Sequence, residues 1–227
     1  MEKKILESPE ALIAQATSDF AELVDELRKS KSELTVLLTG GTLGIEFIAA
    51  LGETSVDLTN IHFIFGDERY VPRDHADRNE HQALATFPGL QSYLIRYPEG
   101  SENLEDAKQA FSFELENLFG PIASPSRQID LTILGMGPDG HIASLFPGVA
   151  HEDAWIVSED NSPKPPSKRL SFSYKALNNS KRVWFLVAGA GKADALRSVY
   201  AGQLPASKVQ GLSETRWYLD REISDGL

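Results

Sequence analysis

Four short apolar runs, each leaving into a glycine-rich turn that carries polar or charged chemistry, constrain the fold of this chain more than any other feature. They are Leu34–Leu38 before Gly40-Gly41-Thr42, Ile61–Phe65 before Gly66-Asp67-Glu68-Arg69, Ile129–Leu134 before Gly135-Met136-Gly137-Pro138-Asp139-Gly140-His141, and Val183–Val187 before Gly189-Ala190-Gly191-Lys192. Nearly continuous apolar runs of this length read as strands buried on both faces, the kind found in parallel sheets. Helical patterns separate them. Ser8-Pro9-Glu10 starts a helix with a capping hydroxyl, a proline at the first position and an acid at the positive end of the dipole. Leu12, Ala16, Phe20, Leu23 and Leu27 carry it to about Arg28. Further helices are expected over Leu43–Leu51, Glu80–Thr86, Leu104–Phe119 with Asn103 as cap, and from Lys192 to about Tyr200. Leu94–Arg96 and Trp217–Leu219 read as short strands. The alternation predicts an α/β fold, a mostly parallel sheet flanked by helices in three layers. With no repeat and no linker, residues 1–227 are expected to form one domain.

In open α/β sheets ligands bind outside the carboxyl ends of the strands, so the four exits are expected to meet on one edge. Gly40-Gly41-Thr42 would place free backbone N–H groups and a hydroxyl at a helix start, a cradle suited to phosphate. The lysine of a P-loop and the Gly-x-Gly-x-x-Gly of a dinucleotide site are both missing there. Lys192 stands at another helix start, where its ammonium opposes the dipole. It is either a surface lysine or one of two positive ends offset by an anion. Gly66-Asp67-Glu68-Arg69 also has two readings: a local ion-pair turn, or Asp67 as an orienting or proton-accepting carboxylate beside an anion-binding Arg69.

His141 is the candidate general base. Of the five histidines, it follows a turn built from Gly135, Gly137 and Gly140, whereas His62 lies within a strand and His75, His81 and His151 lie in polar stretches. An imidazole, with an unperturbed pKa of about 6.5, suits proton abstraction near neutrality. No second histidine stands at metal-ligand spacing, so no metal is expected. Ser144 follows His141 by three, but no Gly-x-Ser-x-Gly elbow surrounds it, so a serine nucleophile is not expected.

Charge narrows the partners. The chain carries 33 acidic and 22 basic residues, a net charge of −11, which argues against nucleic acid and anionic membranes. No stretch approaches the roughly 20 apolar residues of a membrane span, and Met1–Glu7 lacks the apolar core of a signal peptide. There is no cysteine, so disulfides and thiolate chemistry are excluded. A cytoplasmic protein is expected. The acidity is uneven, however. Residues 161–193 contain no Asp or Glu but seven basic residues: Lys164, Lys168, Arg169, Lys175, Lys181, Arg182 and Lys192. That stretch is either a solvated face or an electropositive wall for an anionic ligand.

These segments resemble the 6-phosphogluconolactonase family. The resemblance rests on Asp67-Glu68-Arg69-Tyr70-Val71-Pro72, Asp77-Arg78-Asn79, the run from Gly135 to Gly148 containing Gly-Pro-Asp-Gly-His-Ile-Ala-Ser-Leu-Phe-Pro, Lys164-Pro165-Pro166 with Arg169, Val183–Lys192, and Trp217–Asp220. It implies a Rossmann-like fold similar to that of glucosamine-6-phosphate deaminases. It also implies cofactor- and metal-free hydrolysis of 6-phospho-D-glucono-1,5-lactone to 6-phosphogluconate, in the oxidative pentose phosphate pathway. On this reading His141 deprotonates water and Asp67 orients the ring or binds its hydroxyls. Arg69, Arg169, Lys192, Gly41 and Thr42 bind the phosphate, and loop amides near Gly137 and Gly140 hold the oxyanion. The partner is a phosphosugar lactone; the oligomeric state is open, with a monomer favoured. Two departures stand out: Leu43-Gly44 in the first loop, and Arg78 where Ser is usual before Asn79, facing either the phosphate or solvent.

The rivals are an aldose–ketose phosphosugar enzyme such as a glucosamine-6-phosphate deaminase, and a non-catalytic phosphosugar sensor. Where the deaminase pattern has Tyr and Asn-Glu-Pro-Gly, this chain has Arg69 and Leu145-Phe146-Pro147-Gly148, which removes the carboxylate needed for ring opening. A sensor would need a DNA-binding domain for which length and charge leave no room.

Overall fold

The structure, a computed structural model, describes residues 2–100, 103–121 and 128–227. Its strands are β1 (Glu2–Leu6), β2 (Leu34–Leu38), β3 (Ile61–Phe65), β4 (Asp67–Arg69), β5 (Ile129–Gly135), β6 (Ile156–Glu159), β7 (Arg169–Phe172), β8 (Ser180–Val187) and β9 (Glu214–Asp220). Its helices are α1 (Pro9–Leu27), α2 (Gly41–Gly52), α3 (Asn79–Thr86), α4 (Leu104–Phe119), α5 (Tyr174–Leu177), α6 (Ala193–Tyr200) and α7 (Arg221–Asp225). Six strands form one sheet in the order β1-β9-β8-β5-β2-β3, every neighbouring pair parallel. The four predicted runs are the consecutive strands β8-β5-β2-β3 of this sheet, and their apolar residues are nearly all buried. No helix of the described residues is long and apolar enough to cross a membrane.

Local signals set the helices. Ser8 Oγ accepts from the Ala11 amide at the start of α1, and Asn103 Oδ1 accepts from the Glu105 amide at the start of α4. One face of α1 is buried through Leu12, Ala16, Phe20 and Leu23, where Phe20 meets Phe47 of α2 edge to face at 5.8 Å.

Four strands depart from the sequence reading. β1 was not expected: Glu2-Lys3-Lys4 lacks the apolar run of the other strands, but it pairs with β9 as a charged edge strand. Asp67–Arg69, read as a turn, is instead β4 of a second, antiparallel sheet ordered β4-β7-β6, and β6 and β7 were also missed. Leu94–Arg96, read as a strand, makes only an isolated parallel bridge between Leu94 and Phe63.

Candidate active site

Because all six strands of the main sheet run the same way, the exits of β2, β3, β5 and β8 open on one edge, as expected. They enclose a cleft of about 680 Å³. Gly41, Thr42, Asp67, Arg69, Gly137, His141, Arg169 and Lys192 all line it. Gly140 does not.

The β2 exit supplies the anion cradle. Gly40 caps α2 without any side-chain hydrogen bond, and Gly41 opens the helix at φ +73°, a conformation that favours glycine. First-turn N–H groups have no intrahelical partner, so this end of α2 is suited to an anionic ligand.

The small sheet supplies the second wall. Along β4 alternate side chains face opposite ways, so Asp67 and Arg69 line the cleft while Glu68 turns inward. In β4 and β7 the register sets Arg69 directly opposite Arg169, and Asp67 opposite Ser171. Like charges placed opposite in a sheet repel; an anion between them reverses that term. Arg69 Nη1 donates to the Asp77 carbonyl. Arg169 is nearly buried. Its Nε and Nη2 donate to the carbonyls of Pro166 and Lys164 at 2.7 and 3.0 Å, and its Nη1 lies 3.9 Å from Asp67 Oδ2. Arg169 therefore holds the Lys164–Pro166 loop as well as contributing charge. At the β8 exit, burial and then the Lys164 ammonium pull the Lys192 ammonium below its ordinary value, against Asp220. Of the seven cations in the basic stretch, Lys164, Arg169 and Lys192 line the cleft. Others are paired elsewhere: Lys175 with Asp153, and Arg182 with Glu26.

The β5 exit supplies the titratable group. The His141 Nδ1 lies 2.5 Å from Asp139 Oδ1. Burial works to raise the Asp139 carboxyl, but the His141 ring prevails and holds it below its ordinary value. A carboxylate only accepts, so Nδ1 carries a proton, and in the neutral ring Nε2 is the nitrogen with the free lone pair. The ring packs on Phe146 with centroids 4.9 Å apart. On its other side it closes on Gly137, where an added Cβ would lie 2.1 Å from His141 Nδ1 and Cε1.

Two expectations need correction. The Gly137 amide donates to the His141 carbonyl at 2.9 Å and the Gly140 amide to the Gly137 carbonyl at 3.0 Å. Both are engaged in folding the loop and are not free to hold an oxyanion. Arg78 faces neither phosphate nor solvent. It is fully buried, donates to the carbonyls of Val71, Tyr97 and Pro98, and lies 3.3 Å from Glu80. Its position is structural, behind the cleft.

Two residues that shape the site were not singled out from the sequence. Asp139 appears in the motif but was given no role; the signal was an acid two residues before the histidine across a glycine. Glu68 was read only as part of a charged turn. Its carboxylate accepts from the amides of Arg69, Asn79 and Glu80 at 2.7–2.9 Å, so it caps α3 from β4. Asp67 is nearly buried, and its Oδ2 accepts from Ser144 Oγ at 2.6 Å. Ser144 is fully buried and does not line the cleft. Among the described residues no three His, Asp or Glu side chains gather as a metal site.

Comparison with known proteins places the chain among characterised relatives. The family described as Glucosamine-6-phosphate isomerases/6-phosphogluconolactonase matches residues 7–217. A Mycobacterium leprae protein named 6-phosphogluconolactonase is 32% identical over 97% of this chain and 96% of its own length. An Arabidopsis thaliana protein named 6-phosphogluconolactonase 3, chloroplastic, is 36% identical over 99% of this chain and 74% of its own. The crystal structure of a 6-phosphogluconolactonase from Thermotoga maritima superposes with a TM-score of 0.86 at 28% identity, covering 97% of this chain and 99% of the other.

Proposed function

The chain belongs to the glucosamine-6-phosphate isomerase/6-phosphogluconolactonase family, and from that premise we propose that its cleft hydrolyses 6-phospho-D-glucono-1,5-lactone to 6-phosphogluconate. One observation carries this reading. A carboxylate-oriented imidazole, His141 with Asp139, shares a cleft with the open end of α2 and with Arg69, Arg169 and Lys192. The cations and the Gly41-Thr42 amides take the phosphate, a handle remote from the reacting carbon. That binding presents the lactone carbonyl to a water held by His141 Nε2.

His141 takes a proton from the water as its oxygen attacks C1. The tetrahedral intermediate then collapses, the C1–ring-oxygen bond breaks, and the imidazolium returns the proton to the departing ring oxygen. The product is a carboxylic acid that ionises. A positioned base contributes on the order of 10²–10⁴ in rate, a fitting scale for an ester already strained by its ring. Asp67 is assigned to the sugar hydroxyls.

The deaminase alternative fares worse on the residues after the histidine. Leu145 is fully buried and Phe146 rests against the His141 ring, so neither place offers the acid that ring opening requires. Purified protein given the lactone and glucosamine 6-phosphate in parallel is expected to form 6-phosphogluconate above the buffer rate and to release no ammonia. Ammonia release without lactone hydrolysis would overturn the reading.

A further inference from the structure

Asp67 and His141 reach the cleft from different sheets, one on β4 of the small sheet and the other on the loop after β5. A single buried side chain connects them. Ser144 Oγ donates to Asp67 Oδ2 at 2.6 Å, and the Ser144 amide donates to Ser171 Oγ at 3.2 Å. Ser171 is the residue paired opposite Asp67 in the β4–β7 ladder. Both bonds of Ser144 therefore land on one rung of the small sheet, three residues after the proposed base.

The backbone between them is shaped for this. Ile142 and Leu145 are fully buried and bridge each other, with the Leu145 amide donating to the Ile142 carbonyl at 2.8 Å. Between them Ala143 adopts φ +46°. A non-glycine residue in that region is sparsely populated and persists where its surroundings over-determine it. Here the turn delivers Ser144 inward to Asp67 and leaves Ala143 and His141 lining the cleft.

We propose that Ser144 is a positioning residue that locks the Asp67 carboxylate to the His141 loop, fixing the sugar-binding acid relative to the base. This rests on the lactonase reading and deepens it. With Oδ2 held by Ser144 and Arg169 nearby, Asp67 keeps one carboxylate oxygen in a fixed direction for the substrate. Without the hydroxyl, the Ser144 amide still reaches Ser171 Oγ, but the direct bond from the His141 loop to the Asp67 carboxylate is lost. Displacements of about 1 Å at a reacting centre reduce turnover by roughly 10².

The test is a double-mutant cycle on lactone hydrolysis with Ser144→Ala and Asp67→Asn, each variant checked for its melting temperature. Ser144→Ala is expected to lower kcat at least about tenfold with KM within about twofold. In the Asp67→Asn background the same change is expected to lower kcat less than about twofold, because groups acting as a unit are non-additive. Ser144→Cys, which keeps the volume but donates weakly, is expected to repeat the loss should Ser144→Ala fold poorly. Wild-type kcat in either folded variant, or an undiminished loss in the Asp67→Asn background, would overturn the inference alone. An inactive wild-type chain would overturn both this inference and the lactonase reading.

Discussion

His141 and Asp139 are joined across the Gly140 turn, Nδ1 to Oδ1 at 2.5 Å. The pair fixes which ring nitrogen is protonated, and so which one can accept a proton from water. Asp139→Asn keeps the shape but offers an amide that can equally donate, which allows the ring to present the wrong tautomer. We expect kcat to fall by on the order of 10², the lower end of what a positioned base contributes, with KM little changed. Steady-state kinetics of lactone hydrolysis check this.

Gly137→Ala probes the same ring from its other side. The added methyl would lie 2.1 Å from His141 Nδ1 and Cε1, so the ring must move. A shift of about 1 Å is enough to reduce kcat by roughly 10². Because the added methyl meets the His141 ring, KM should change far less than kcat. Equal effects on both would place the ring outside the chemical step.

Lys192 and Arg169 should separate binding from stability. Among the described residues the Lys192 ammonium makes no hydrogen bond, and Lys192→Ala is expected to raise KM by about 10–10², since a charge-assisted hydrogen bond contributes roughly 1.5–3 kcal/mol. Arg69→Ala should behave similarly. Arg169→Ala also removes the charged donor that ties the carbonyls of Lys164 and Pro166 to the small sheet. That variant should in addition lose roughly 1–3 kcal/mol of stability, read by urea denaturation.

Glu68 makes stability depend on pH. Burial pushes its carboxyl up to about 7 from 4.5, against the Glu80 and Asn79 amides and the Arg78 guanidinium. Between those values the folded state binds more protons than the unfolded state, so stability falls as pH rises from about 4.5 to about 7, by at most about 3 kcal/mol. Glu68→Gln, which keeps an acceptor for the start of α3, should flatten this part of the stability–pH curve. An unchanged slope would show that Glu68 does not titrate there.

The parallel sheet and the convergence of its exits were legible because burial on both faces leaves continuous apolar runs such as Leu34–Leu38 and Ile129–Leu134. The ends of α4 were legible because Asn103 caps one and Gly120 follows the other. β4, β6 and β7 were not, since strands of three or four residues carry too little periodicity and are defined by their pairing. Arg78 shows the limit for side chains. Its guanidinium is buried because residues 71, 97 and 98 bring three carbonyls to it, an arrangement only the folded chain creates. The place of His141 on the cleft was legible because a glycine turn at a strand exit is a local signal, whereas its partner Asp139, two residues earlier, was passed over.

The central claim is that His141 is the base of a lactonase, and the most direct measurement compares 6-phosphogluconate formation by the wild type and His141→Ala at saturating lactone. The account predicts hydrolysis above the buffer rate for the wild type and a kcat reduced by on the order of 10²–10⁴ in the folded variant. A His141→Ala enzyme that hydrolyses the lactone at the wild-type rate would contradict it.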